Sequence, residues 1–174
     1  WWSPTYTIPD GRVLALIAGK SNPGSIMVNR QGKRFANEAQ PYEDLIKAQY
    51  ASEARGEGAI PCYLVFDATC RGKYAVGHLK PGKVEHDNKL SPANFESGLL
   101  TRADSLEELA DKLQIERSAL LQTVTNFNRH ARNGEDPEFG RGATLHDRYY
   151  ADKTVSPNPS LGPLDKAPYY ALRC

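Results

Sequence analysis

Several features that would point directly to one class of function are weak or missing in the sequence. Its 22 basic and 21 acidic residues leave a net charge of +1, which is too weak a field to hold a nucleic acid or an anionic membrane surface. Its three cysteines, Cys62, Cys70 and Cys174, have no C-x-x-C spacing, so they predict neither a disulfide framework nor a zinc site. The four histidines form no H-E-x-x-H motif. We therefore expect no nucleic-acid partner and no metal site.

Long hydrophobic runs are also missing. The longest uninterrupted apolar run, residues 13–18, has six residues, whereas a membrane-spanning helix needs about 20. No charged segment followed by an apolar segment marks a signal peptide. We expect no membrane span, and a reducing cytoplasm is the default location.

Motifs for nucleotide binding and for nucleophilic catalysis are broken or absent. Residues 77–83 have the spacing of a phosphate-binding loop, but Val84 stands where a hydroxyl would bind Mg²⁺, and Pro81 removes a backbone donor. No G-x-S-x-G elbow occurs. No G-x-G-x-x-G follows a strand, so this chain alone predicts no dinucleotide site.

The elements that are present indicate an α+β fold with a small, mostly antiparallel sheet and flanking helices. Apolar runs predict buried strands at 60–67 and at the end of the chain, and the turn at Gly32 predicts a β-hairpin of 25–29 with 33–35. Residues 74–100 read as loop. Helices are predicted at 43–55, 106–113 and 116–132.

Residues 32–44 concentrate charge, amide groups and a phenol in one short segment. Arg34, Asn37 and Glu38 either support the loop that carries Tyr42 or close the end of the hairpin, and the residues alone favour the second role. Composition also favours packing for Tyr42, because most tyrosines are packing residues with a polar end. Packing is likewise expected of the remaining tyrosine pairs, 149–150 and 169–170.

The order of motifs resembles that of a known flavoprotein family. Residues 26–29 running into Gly32-Lys33-Arg34-Phe35-Ala36-Asn37-Glu38 are similar to a signature of the fumarate reductase and 3-ketosteroid dehydrogenase flavoproteins, and the likeness continues at 2–5, 66–68, 136–142 and 168–171. In that family such a stretch is the cap, or catalytic, domain, inserted into a Rossmann-like FAD-binding domain. The resemblance implies that residues 1–174 are the substrate-capping domain of a two-domain flavoprotein and that the FAD-binding domain is absent from this chain.

Two positions distinguish between the branches of this family. Fumarate reductases have a catalytic arginine where this sequence has Tyr42, and a histidine where it has Ser3. A phenol lacks the bidentate fork with which arginine binds a dicarboxylate, whereas 3-ketosteroid Δ1-dehydrogenases have a catalytic tyrosine at this place. The resemblance therefore implies dehydrogenation of a 3-ketosteroid-like substrate, with the α proton passing to Tyr42 and the β hydride to flavin N5.

The resemblance also implies that Trp2 and Ser3 border the pocket, and a small apolar, steroid-like substrate requires an apolar cavity. In a helix that follows Pro41, Ile46 and Gln49 lie four and seven residues after Tyr42 and near the same face, so we expect them to line that cavity. Because phenols ionise near pH 10, we expect a second tyrosine or a basic group beside Tyr42. FAD is bound mainly by the missing domain, so the isolated chain is expected to be inactive.

Two alternatives remain open. In one, the chain is a non-catalytic lid or binding module that closes over the flavin, and Tyr42 only contacts the substrate. In the other, it belongs to a fumarate-reductase-like enoate reductase, whose carboxylate substrate would be bound by Arg34 or Arg71.

Overall fold

The computed structural model describes residues 3–17 and 19–174 of the chain. Its strands are β1 (Thr5–Thr7), β2 (Val13–Ala15), β3 (Ser25–Val28), β4 (Tyr63–Phe66), β5 (Leu100–Ala103) and β6 (Tyr169–Arg173). Its helices are α1 (Tyr42–Ala54), α2 (Ala68–Lys73), α3 (Ala93–Glu96), α4 (Leu106–Leu113), α5 (Arg117–Ala131) and α6 (Leu145–Tyr149). A 3₁₀ turn spans Asp87–Lys89.

The main sheet runs in the order β3-β4-β6-β5, and each neighbouring pair is antiparallel. The strands β1 and β2 form a separate antiparallel pair. In the centre of the main sheet Leu64 pairs with Leu172, and Val65 pairs with Ala171. The predicted α+β class with an antiparallel sheet and flanking helices is confirmed.

The two faces of the main sheet enter separate cores, because successive residues of a strand point to opposite sides. On one face Leu64 and Phe66 share a core with Leu45 of α1. On the other face Val65 and Ala171 share a core with residues of α4 and α5. Helix α1 and the α4–α5 pair therefore cover opposite faces of the sheet.

The helices with the clearest local signals lie where the sequence predicts them. Ser105 Oγ accepts a hydrogen bond from the backbone N–H of Glu108 at 3.1 Å, and Glu108 Oε2 accepts one from the backbone N–H of Asp104 at 2.7 Å. These reciprocal bonds close the first turn of α4. Helix α5 falls inside the predicted span 116–132, and the two predicted strands are present as β4 and β6.

The predicted β-hairpin is wrong in its second strand. Gly32 takes a φ of +72° at the turn, and Asn29 Oδ1 accepts hydrogen bonds from two backbone N–H groups of that turn. Beyond it, however, residues 33–35 contribute only a bridge between Val28 and Arg34, and β3 pairs with β4 instead. The buried side chain of Arg34 turns the segment into the interior, which ends the strand pairing.

Other departures from the prediction are local. The stretch 74–100, predicted as loop, contains α3 and the 3₁₀ turn. Tyr170 is buried against Phe66 with ring centroids 5.3 Å apart, but Tyr149 and Tyr150 are 73% and 60% exposed. Their packing role was wrongly predicted, because α6 presents Asp147 rather than its aromatic residues to the interior.

The helices of the described residues are short. α1 has 13 residues and α5 has 15. In the described part of the chain, no helix combines the length and the apolar character needed to cross a membrane.

Candidate active site

Tyr42 is the first residue of α1 and is half-buried. Pro41 caps the helix with φ −49° and ψ 140°, and its carbonyl accepts hydrogen bonds from the N–H groups of Asp44 and Leu45, both at 3.0 Å. Proline suits this place because its fixed φ matches a helix start. Asp44 and its neighbour Glu43 also complement the positive end of the helix dipole. The helix predicted at 43–55 is confirmed with its start one residue earlier, which places Tyr42 at the N-terminal end of α1.

A buried group of charges, here named the ionic cluster, lies under the segment that leads to Tyr42; it consists of Arg34, Glu38, Asp136 and Arg141. Arg34 donates from Nε and Nη2 to the two carboxylate oxygens of Glu38 at 2.9 and 2.8 Å. It also donates from Nη1 and Nη2 to those of Asp136 at 2.8 and 2.9 Å. Arg141 Nη1 donates to Glu38 Oε2 at 3.2 Å. The guanidinium of Arg34 is thus held by two bidentate carboxylates.

Electrostatics and packing both keep Arg34 charged. Burial by itself disfavours the charged form, but Glu38 and Asp136 outweigh it and raise the pKa of Arg34. For Glu38, burial acts to raise the pKa of the carboxyl, yet Arg34 and Arg141 overcome it and hold the pKa below its ordinary value. The guanidinium carbon of Arg34 lies 5.0 Å from the ring centroids of both Phe127 and Phe139, in the range of a cation–π contact.

Lys20 connects the ionic cluster to the approach to Tyr42. Its side chain is buried, and Nζ donates to the backbone carbonyls of Glu38 and Gln40, each at 2.7 Å. Burial lowers the pKa of Lys20 to about 8, and the positive charge of Arg141 adds to this effect. The ammonium group of Lys20 thus binds the main chain two residues before Tyr42.

Asn37 also holds this segment, through a bond to α6. Its Oδ1 accepts a hydrogen bond from the backbone N–H of Ala39 at 2.8 Å, and its Nδ2 donates to Asp147 Oδ2 of α6 at 3.0 Å. Arg34, Asn37 and Glu38, which the sequence alone assigned to a hairpin end, therefore fix the segment that carries Tyr42.

The remaining predicted site residues have local contacts. Ser3 is buried, and its Oγ donates to the carbonyl of Pro4 at 3.1 Å. Ile46 and Gln49 lie on the buried face of α1. The Nε2 of Gln49 donates to the carbonyl of Ala59 at 2.8 Å, which ties α1 to the segment before β4. Trp2 lies outside the described residues.

Lys20, Arg141 and Asp147 are the residues of this region that the sequence did not indicate. Arg141 and Asp147 contact residues more than a hundred positions away, such as the Ser25 carbonyl that Arg141 binds at 2.6 Å, and Lys20 reaches carbonyls 18 and 20 residues further along the chain. Neither hydrophobic periodicity nor motif spacing in the sequence predicts contacts between such distant residues. The one available signal is Arg141 between two glycines, in a motif shared with the resembled family.

Two cavities in the described part of the chain lie away from Tyr42. One of about 480 Å³ lies beside the ionic cluster and is lined by Arg34, Phe127 and Glu138 among others. The other, of about 540 Å³, lies between the β1–β2 pair and the end of β6, and Tyr6 and Cys174 line it. Tyr42 lines neither of them.

The main sheet of the described residues is not of the Rossmann type. The pairings of the main sheet are all antiparallel, so this part of the chain offers no β-α-β crossover whose helix could meet a pyrophosphate. Nor do residues 3–17 and 19–174 contain a group of three or more His, Cys, Asp or Glu side chains that could hold a metal ion.

Comparison with known proteins places the chain in a family. All of residues 1–174 match the family model described as FAD binding domain, which implies FAD as the cofactor. The 3-oxosteroid 1-dehydrogenase of Mycolicibacterium smegmatis is 38% identical over 99% of this chain and 30% of its own length. The 4-oxocyclohexanecarboxylate 2-dehydrogenase of Sinomonas cyclohexanicum is 40% identical over 99% of this chain and 29% of its own length. The chain thus spans about 30% of the length of these curated relatives.

A solved structure agrees with these relatives. The crystal structure of 3-ketosteroid Δ1-dehydrogenase from Sterolibacterium denitrificans, in complex with 1,4-androstadiene-3,17-dione, has a TM-score of 0.93 and 40% identity to this chain. The match covers 99% of this chain and 30% of that chain. The resemblance predicted from the motifs is confirmed. The chain belongs to the FAD binding domain family, and over nearly its whole length it is similar to 3-ketosteroid dehydrogenases.

Proposed function

We propose that residues 1–174 are the cap, or catalytic, domain of an FAD-dependent dehydrogenase that acts on a 3-ketosteroid-like ring ketone, with Tyr42 as the general base. The observation that carries this proposal is the placement of Tyr42. Tyr42 is half-buried and stands at the N-terminal end of α1, on a segment that the ionic cluster and Lys20 hold by hydrogen bonds. A base that must meet one particular C–H bond needs such a fixed support.

The chemistry assigned to this chain is removal of a proton. A hydrogen on the carbon next to a ketone is acidic enough for a phenolate to remove, provided that the phenolic oxygen is within hydrogen-bond reach of it. The redox part of the reaction belongs to FAD, and we assign no step of it to residues of this chain. Since the described residues offer no dinucleotide crossover, we place the FAD site in a separate FAD-binding domain, which is then the partner of this one.

The substrate class follows from what the similar proteins share. Their names combine an oxo group on a six-membered carbon ring with dehydrogenation of that ring, and the solved structure holds a steroid dione. A steroid is apolar, so it requires a mostly apolar cavity with few polar anchors. In this proposal Tyr42 contributes to one wall of that cavity, and the lining by Trp2, Ser3, Ile46 and Gln49 stays a prediction.

The enoate-reductase alternative is disfavoured by the arginines that it would need. Arg34 is taken up by Glu38 and Asp136, and its side chain is 1% exposed. Arg71 donates to Asp87 and to two backbone carbonyls, and its side chain is 3% exposed. Neither guanidinium is available to bind the carboxylate of a substrate.

A monocyclic oxo acid is the second candidate substrate, because the Sinomonas relative is as similar to this chain as the steroid enzymes are. The two classes differ in size and charge. Comparing kcat/KM of the complete flavoprotein for 4-androstene-3,17-dione and for 4-oxocyclohexanecarboxylate distinguishes them. We expect the steroid to be preferred, and a preference for the oxo acid would move the proposal to the second class.

The role of Tyr42 is tested by turnover in the complete flavoprotein. We expect Tyr42→Phe to lower kcat by about 10²- to 10⁴-fold, the usual contribution of a general base. Tyr50→Phe is the matched control, because Tyr50 lies on the same helix and is 43% exposed. Near-full turnover in Tyr42→Phe would leave the proposed reaction without its base.

The domain assignment has a test of its own. We expect the 174-residue chain to fold but to show no flavin absorbance after incubation with FAD, and to gain activity only together with the FAD-binding domain. Stoichiometric FAD binding by the 174-residue chain would contradict this assignment.

A further inference from the structure

Lys20 is a buried cation that no step of the proposed reaction uses. Its side chain is buried, and Nζ lies between two backbone carbonyls, those of Glu38 and Gln40. Carbonyl oxygens can only accept hydrogen bonds, so the pair needs a donor between them. Without one, the buried carbonyl of Glu38 and the partly buried carbonyl of Gln40 would lose their donor, which is costly.

The position of these carbonyls gives Lys20 its significance. They belong to the last residues before Pro41, and the carbonyl of Pro41 in turn starts the hydrogen-bonding of α1. Because proline fixes its own φ, a movement of the Gln40 peptide is passed on to the first residue of the helix, Tyr42. The direction of the phenol therefore depends on where the two carbonyls are held.

We infer that Lys20 is a positioning residue for Tyr42, acting by clamping the carbonyls of Glu38 and Gln40 at the start of α1. The inference rests on the proposed function, since it names a residue that serves the same base. An arginine fork or an aliphatic side chain could not replace the small ammonium group between two carbonyls 2.7 Å away.

The charge of this clamp changes near neutral pH. Three charged groups face Lys20 from the elements around it: Arg141, Glu38 and Asp147 of α6. Burial and Arg141 lower the pKa of Lys20 to about 8, against the opposing effect of the two carboxylates. A neutral amine still has two N–H groups for the two carbonyls, but its hydrogen bonds are weaker than those of an ammonium. The clamp thus loosens, without breaking, as pH rises through about 8.

The test is an NMR titration of the ¹³C-tyrosine-labelled 174-residue chain, with the Tyr42 signal assigned from Tyr42→Phe. In the wild type we expect the Tyr42 ring signal to shift with a midpoint near pH 8, well below ionisation of an ordinary phenol. In Lys20→Met the signal starts from a different position and the step is absent. Lys47→Met is the matched control, because Lys47 lies on α1 with its side chain 74% exposed. We expect the Tyr42 signal of this variant to shift with pH as in the wild type.

Two outcomes overturn the inference: no step near pH 8 in the wild type, which requires no variant to fold, or the same step in Lys20→Met. In the complete flavoprotein we expect Lys20→Met to lower kcat by up to about 10²-fold through misplacement of the base, with KM little changed. If Tyr42→Phe retains turnover, the proposed function fails while the NMR result for Lys20 still stands, so the two failures are distinguishable.

Discussion

The approach to α1 and its C-terminal end are held by ion pairs of similar length but very different surroundings. Before the helix, Arg34 and Glu38 are 2.8 Å apart, with side chains 1% and 0% exposed. After it, Arg55 and Glu57 are 2.7 Å apart, with side chains 56% and 31% exposed. Water screens the second pair, so it adds little to stability, whereas a buried charge that loses its partner is left uncompensated. The end of α1 that carries Tyr42 is therefore the end that buried charges hold in place.

Removal of the charge on Glu38 has the largest expected effect on the difference between the two ends of α1. Glu38→Gln leaves the buried guanidinium groups of Arg34 and Arg141 short of a carboxylate, and we expect a loss of about 3–5 kcal/mol in the free energy of unfolding. Urea denaturation followed by circular dichroism measures it. Glu57→Gln makes the same chemical change at the exposed end, and we expect its denaturation midpoint to stay close to that of the wild type. Equal losses in the two variants would contradict the difference between the ends.

The pH dependence of stability tests the burial of Lys20. Its pKa falls from the ordinary 10.5 to about 8 in the folded chain, so between these values the unfolded chain binds more protons than the folded one. The free energy of unfolding contributed by Lys20 therefore rises as pH increases from 8 towards 10.5, by a total on the order of 3 kcal/mol.

The buried tyrosines also titrate at high pH, and subtraction of Lys20→Met removes their contribution. We expect the difference in unfolding free energy, wild type minus Lys20→Met, to increase over this range in urea titrations at successive pH values. A difference that is flat with pH would mean that Lys20 keeps its ordinary pKa in the folded chain.

We expect Asp136→Asn to lower the free energy of unfolding less than Glu38→Gln does, because Arg34 keeps Glu38 and a longer contact to Glu138 at 3.4 Å. The expected decrease is about 2 kcal/mol, within the range for hydrogen bonds to charged groups. Despite burial, Arg34 holds the pKa of Asp136 below 3.8, so the stability that Asp136 contributes is lost as pH falls below that value. Acid titration of unfolding is the measurement, and a loss as steep in Asp136→Asn as in the wild type would show that Asp136 is not its source.

The elements that the sequence predicts correctly are those marked by residues close together in the chain. Ser105 and Glu108 mark the start of α4 within four residues, and Pro41 marks the start of α1. The predicted second strand of the hairpin is wrong because β3 pairs with β4, which lies about 35 residues further along the chain. For the site, the sequence places Tyr42 at the helix start but not the ionic cluster, since Arg34 meets Asp136 across 102 residues and no periodic pattern encodes that pairing.

If Tyr42 removes the proton next to the ketone, the rate at which the substrate loses an α-deuterium depends on its phenol. A 3-ketosteroid deuterated at the α carbon is incubated in H₂O with the complete flavoprotein, and the label in recovered substrate is followed by mass spectrometry. We expect wild type and Tyr50→Phe to wash the label out equally fast, and Tyr42→Phe to do so about 10²- to 10⁴-fold more slowly. Wash-out by Tyr42→Phe at the wild-type rate would contradict the account and leave this domain the role of a lid.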